Sequence, residues 1–253
     1  MDLFVNEQSI VRKIWGNSDT ILFIFAGASA EFALNKAVDW LYFTGRLPAD
    51  PLGRLFSTVA YARLIVFSEL NKANKVIDKM YFIHAAVEEK RQAKIPDWAY
   101  RDVLFMLIDY SIRSYEVLER KLTADEKEEV FVTFKKVGDR MRLKDLPSTY
   151  NQWMVVREQH LNGDMIYSVY TADLFKQYKK HLGAFRYFIL KQSQILVVPK
   201  QVNTLLKLGR ISILTPGVFV YKILRTIKLD WFIKNLILPK EYKAQINALD
   251  SAD

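Results

Sequence analysis

Arg54 and Thr58 stand four residues apart in DPLGRLFST, and a histidine, His84, follows 26 residues after the threonine in FIHAAVE. A separation of four puts the arginine and the threonine on one side of a helix, one turn apart. Leu55, Val59 and Ala62 form an adjoining apolar stripe, so the two polar side chains sit at its edge rather than on an open face. A sheltered guanidinium requires an anion or a ring of acceptors. The alternative is a surface arginine whose stem packs while its head reaches water. His84 shares its helical face with Ile77, Met80, Tyr81 and Val87. Such an imidazole is either a core histidine bonded to a backbone carbonyl or a neutral nitrogen ligand for iron, as in a haem protein. Zinc needs further ligands close by, and no HExxH or similar spacing occurs.

The other two histidines read differently. His160, near a helix C-terminus in VVREQHLNGD, and His181, after KQYKK, both read as solvated surface residues. The acidic pairs Glu88–Glu89 and Glu128–Glu129 read as solvated helix faces. No GxSxG, Walker loop or GxGxxG is present. The basic residues are scattered and no RNP or zinc-finger signature accompanies them, so no nucleic-acid partner is expected.

These side chains must be positioned by helices. Apolar spacings of three and four prevail over alternation, and only nine glycines and seven prolines interrupt 253 residues. Asp50-Pro51 reads as an N-cap followed by proline at the first helical position. Ile95-Pro96-Asp97 ends one helix and caps the next, and Thr123 to Glu126 is a capping box. Leu146-Pro147-Ser148-Thr149 stops and restarts the chain. Gly163 ends a helix, Thr171 caps the one after it, and Pro199 breaks after ILVV. The pattern predicts an all-α chain of about eight to ten helices in one domain spanning 1–253, with short C-terminal helices over 211–247 laid on the body and a polar tail at Ala248 to Asp253.

Composition sets the outer bounds. Lys plus Arg number 37 against 28 Asp plus Glu, a net charge of +9, which suits an acidic partner. Cysteine is absent, which excludes disulfides, thiolate metal sites and cysteine nucleophiles. A reducing compartment is compatible with that, and the expected location is cytoplasmic. The stretch RKIWGNSDTILFIFAGASA imitates a leader peptide, but Asp2, Glu7 and a short apolar run point to an internal helix. No run reaches the roughly 18 apolar residues of a spanning helix. The basic and aromatic FVYKILRTIKLDWFIKNLIL suggests peripheral membrane contact, weighed against helices that simply pack on the core.

Taken together, DPLGRLFST, FIHAAV, IDYSIRSYEVLERKLTADEKEEVFVTFKKVGDRMRL and LPSTYNQW resemble the catalytic domain shared by bacterial rubber oxygenases and fungal MpaB-type oxygenases, the DUF2236 family, over about residues 15–210. The resemblance implies a distantly globin-like helical core holding one haem b. His84 would be the proximal iron ligand, and Arg54 and Thr58 would lie beside the haem as catalytic and cofactor-binding residues. It further implies a reaction of dioxygen with a hydrophobic substrate, isoprenoid or unsaturated lipid-like. One proximal imidazole leaves an axial position open to dioxygen, and haem carboxylates supply the anion that Arg54 requires.

Several positions depart from the family pattern. Asn35-Lys36 stands near where many relatives have His-Pro, Ser57 where rubber oxygenases place a lysine, Leu104 where a histidine occurs, and Glu89 where a glycine does. No distal base can be named. A non-catalytic helical protein that binds haem or a lipid-like ligand is the other class the sequence leaves open, and oligomeric state is not readable from it.

Overall fold

The computed structural model describes residues 2–43, 45 and 49–226. Among them are eleven α-helices and no strand. In chain order these are α1 (Ile10–Trp15), α2 (Ser18–Leu34), α3 (Val38–Phe43), α4 (Pro51–Val66), α5 (Leu70–Arg91), α6 (Asp97–Leu118), α7 (Ala124–Arg140), α8 (Tyr150–Gly163), α9 (Val169–Val197), α10 (Lys200–Leu206) and α11 (Leu214–Thr226). The chain is all-α, as expected, with slightly more helices than the spacing predicts. The expected helices beyond Thr226 and the polar tail lie outside the described residues.

Helix α2 forms the centre. It is apolar nearly all round, as a helix enclosed by others must be, and it packs against α6 on one side and α9 on the other. The run that imitates a leader peptide covers the end of α1 and most of α2, whose side chains are largely buried. Gly27 lies where the Tyr110 ring crosses α2: a Cβ there would come within 2.2 Å of ring carbons, so only glycine permits this approach. α7 closes over α1, α5 and α6, and α4 packs on α5. One continuous cluster of buried side chains runs through these helices, with Trp15, Phe105, Tyr110, Phe131 and Tyr178 among its largest members.

The helix starts follow the side-chain chemistry of their caps. Asp50 accepts from the Gly53 amide at 2.8 Å with Pro51 following it, and Thr123 and Glu126 form the reciprocal capping box. Thr149 accepts from Gln152 N. Two expectations need correction. Ser168, not Thr171, is the N-cap of α9; Thr171 is its box partner three residues on, and its hydroxyl donates to Ala33 O at 2.6 Å. Ile95-Pro96-Asp97 does hold the N-cap position of α6, at Pro96 and without a side-chain hydrogen bond, but it does not end α5, which has already stopped at Gln92 in the left-handed conformation (φ 53°). Within α9, Gly183 takes φ 72°, ψ 170°, a non-helical conformation that kinks the helix and that glycine alone adopts without strain.

Candidate haem and substrate site

Helix α4 carries Arg54 and Thr58 to the junction with α5, which carries His84. The proline-led start of α4 sets the register, since the Arg54 amide donates to Asp50 O at 3.1 Å as the helix begins. Arg54 Nη1 donates to Thr58 Oγ1 at 2.9 Å and to Ser57 Oγ at 3.3 Å. Both hydroxyls in turn donate to the Arg54 carbonyl, at 3.3 and 2.8 Å. The guanidinium is thus held against the helix that bears it, and all three side chains are partly buried. Val59 and Ala62 of the adjoining stripe are buried in the core; the Leu55 side chain lies outside the described residues.

His84 is partly buried, and its Nδ1 lies 2.7 Å from Met80 O one turn below. A carbonyl accepts only, so Nδ1 carries the hydrogen and the Nε2 lone pair is free of it. The imidazole edge meets the Tyr100 ring with centroids 5.4 Å apart and planes at 68°. Burial pushes the imidazole below its usual basicity and the Arg54 charge adds to that, opposed by the Met80 carbonyl and Glu88. His84 is therefore neutral at pH 7. The backbone bond expected of a core histidine is present, and it is the same bond that prepares a metal-ligating one.

Glu88 lies one turn on from His84, and its side chain is largely buried rather than solvated. Its carboxylate accepts from Lys94 Nζ at 2.8 Å, Ile95 N at 2.9 Å and Tyr100 hydroxyl at 3.2 Å. Burial raises its pKa, but these three donors outweigh it and hold the group below the usual carboxylate range. Tyr100, desolvated and facing Glu88, is pushed up. Glu88 thus anchors the α5–α6 turn and the ring that supports His84. Glu128 is likewise no bystander, accepting from Tyr150 N at 3.0 Å, whereas Glu89 is exposed as expected.

Two polar clusters escaped the sequence reading. Arg157 on α8, 3% exposed, meets Glu31 of α2 through both nitrogens at 2.6 and 2.7 Å and Asp109 of α6 at 3.1 Å. Tyr110 donates to Glu31 at 2.9 Å and Arg113 to Asp109 at 2.5 Å. His160, expected on the surface, is 8% exposed and paired through Nδ1 with Asp102 Oδ1, because α8 turns that side of its last turn onto α6. His181 is exposed, as expected. The signal for the first cluster is in the helical periodicity: Glu31, Asp109 and Arg157 fall on faces whose neighbours are apolar.

The donor set at His84 fits haem. Among the described residues, the one trio of histidine and carboxylate groups that converges on a point is Asp102, His160 and Asp164, and His84 belongs to no such trio. A lone imidazole suits a metal that brings its other ligands with it, as porphyrin iron does. No curated protein and no solved structure matches the chain. The family model described as "ER-bound oxygenase mpaB/B'/Rubber oxygenase, catalytic domain" matches residues 13–175, so the resemblance reaches through α8 into α9 and stops short of the expected residue 210. With nearly two-thirds of its length so matched, the chain belongs to this family of oxygenase catalytic domains.

Proposed function

We propose that the chain is a haem b-dependent oxygenase that acts with dioxygen on a hydrophobic substrate bearing carbon–carbon double bonds, of isoprenoid or unsaturated lipid type. The observation that carries this reading is the His84 Nδ1 to Met80 O bond of 2.7 Å, which fixes the tautomer whose Nε2 can hold iron. When bound, haem supplies the activation of dioxygen. Arg54 supplies fixed positive charge for a propionate or for negative charge that develops near the metal, worth about 1.5–3 kcal/mol as a charged hydrogen bond. Thr58 orients that guanidinium. Partial burial lowers the basicity of the imidazole and so favours its neutral form.

Oxygen uptake by the haem-loaded protein with polyprenyl and unsaturated lipid substrates tests this reading. Substrate-dependent uptake, with product masses showing oxygen added at a double bond, is the expected result. Ser57 and Leu104, where relatives carry a lysine and a histidine, favour a second reading as a binding protein for haem or a lipid-like ligand. Stable haem with no uptake across the substrate panel would establish that second reading over the first.

Peripheral membrane contact suits a substrate dissolved in lipid. No described helix is long and apolar enough to cross a membrane. Helix α11 is tied to the body by Arg225, which meets Glu119 Oε1 at 2.6 Å, while Phe219, 68% exposed, and Val220 face outward. Its two basic residues, Lys222 and Arg225, both bond to Glu119 on the body, so the outward apolar residues are what this helix offers to a lipid surface. Salt-sensitive co-sedimentation with vesicles of phosphatidylserine and phosphatidylcholine is expected; sedimentation equal to a protein-only control removes the membrane from the reading.

A further inference from the structure

The junction of α2, α6 and α8 holds a group of side chains with no part in the haem reading. Asp102 lies in the second turn of α6 and is 2% exposed. His160 lies in the last turn of α8, and Asp164 follows that helix as its C-cap, partly buried. One imidazole nitrogen and one oxygen from each carboxylate lie within 4.8 Å of one another. Around a divalent ion with bonds of about 2.0–2.2 Å, ligand atoms stand about 3–4.4 Å apart, so the trio already has close to the span of a coordination shell, and the Asp102–His160 contact opens to admit the ion.

The backbone around the trio is rigid. Asn35, the C-cap of α2, donates from Nδ2 to Asp102 Oδ2 at 2.7 Å and accepts the Ala37 amide on its own oxygen at 2.8 Å, which assigns its orientation. That bond turns Asp102 Oδ1 toward His160. Lys36 N donates to Asp164 O at 2.9 Å and Lys36 Nζ to Gly163 O at 2.5 Å, tying the end of α8 to the end of α2.

A second observation concerns how Asp102 and His160 meet. Asp102 Oδ1 and His160 Nδ1 face each other closely, yet both are sealed from solvent and neither has a hydrogen bond of acceptable geometry. Buried polar atoms are nearly always satisfied. Two such atoms that meet without an aligned hydrogen bond, beside a second carboxylate, are arranged for a ligand common to all three.

We propose that Asp102, His160 and Asp164 bind one divalent first-row cation of the zinc class, separate from the iron at His84, which joins α2, α6 and α8. The chemistry of the donors selects that class: imidazole disfavours calcium and magnesium, and the lack of thiolate disfavours copper(I). A neutral imidazole and two carboxylates balance the charge of a divalent ion. Three protein ligands leave a position for water on the Asp164 side, the least buried of the three. Asn35 is then the outer partner that orients a ligating carboxylate.

The test is Zn2+ titration of the full chain after chelator treatment, by calorimetry, with Co2+ absorption bands between 500 and 650 nm as a probe of ligand type in haem-free protein (roughly the region of tetrahedral or five-coordinate cobalt). One equivalent of Zn2+ is expected to bind and to raise the unfolding midpoint. His160→Ala and Asp164→Asn should each weaken binding about a hundredfold or more, and Asn35→Ala about ten- to a hundredfold. His84→Ala should leave Zn2+ binding unchanged, which separates this site from the haem reading. If His160→Ala does not fold, Asp164→Asn decides, its side chain being only partly buried. Absence of saturable Zn2+ and Co2+ binding by the wild type, or equal binding by Asp164→Asn, would overturn the proposal and leave an ordinary His160–Asp102 ion pair.

Discussion

His84 and Met80 are joined by a hydrogen bond of 2.7 Å from the imidazole Nδ1 to the main-chain oxygen one helical turn earlier. The bond sets ring orientation and tautomer together, because both follow from a single acceptor on the same helix. A ring fixed in this way presents Nε2 without reorganisation, which is what a ligand for a bound metal group requires.

Replacing that ring removes the one protein ligand assigned to iron. His84→Ala, expressed with adequate haem supply, is expected to lack the Soret absorption expected of the wild type, while its circular dichroism remains helical. Haem content equal to that of the wild type in this variant would show that iron is held elsewhere.

Acidification acts on the same imidazole. Burial, aided by Arg54, lowers its pKa in the folded chain below the unfolded value of 6.5. Between the two values the unfolded chain takes up a proton that the folded chain resists, so this contribution is fully present above pH 6.5 and is lost as pH falls through the folded pKa. Urea midpoints measured at pH 7.5 and 5.5 should therefore fall more in the wild type than in His84→Gln. An equal fall would place the pH sensitivity in other groups.

The Arg54 charge has a separate signature. Arg54→Gln should raise the titration midpoint of the His84 ring, followed by NMR, since one cause of its depression is gone. The same variant should lower haem affinity or turnover about ten- to a hundredfold, the equivalent of one charged hydrogen bond. Thr58→Val keeps the shape and removes the acceptor at 2.9 Å, and should reproduce part of that loss. An unmoved His84 titration would place Arg54 away from the imidazole.

Arg157 supplies a stability prediction. Its guanidinium is enclosed with Glu31 and Asp109, and truncation leaves two carboxylates buried with Arg113 as the remaining guanidinium bonded to Asp109. Arg157→Ala should cost about 3–5 kcal/mol of unfolding free energy, measured by urea denaturation. Arg157→Met with Glu31→Gln should cost less, because one of the buried charges left behind is then also removed.

The local features of this protein were written in its sequence. Asp50-Pro51 and Thr123 to Glu126 start helices because their side chains satisfy donors only two or three residues away. Arg54 and Thr58 share a face by helical geometry alone, and the family resemblance pointed to His84. Ser168 and Thr171 show the limit, since both can cap, and the choice rests on the Thr171 hydroxyl reaching Ala33 across the fold.

What the tertiary structure alone decided are the contacts between distant segments. His160 looked solvated because its neighbours in the chain are polar, but α8 lays it on Asp102, 58 positions earlier. Glu31 and Arg157 are 126 residues apart, and nothing local in either helix announces the other. Glu88 looked like half of an exposed acidic pair until the α5–α6 turn folded back over it. Periodicity tells which face of a helix is apolar, whereas the partner of a polar group on that face depends on how the helices cross, and crossing is settled by side-chain packing over the whole core.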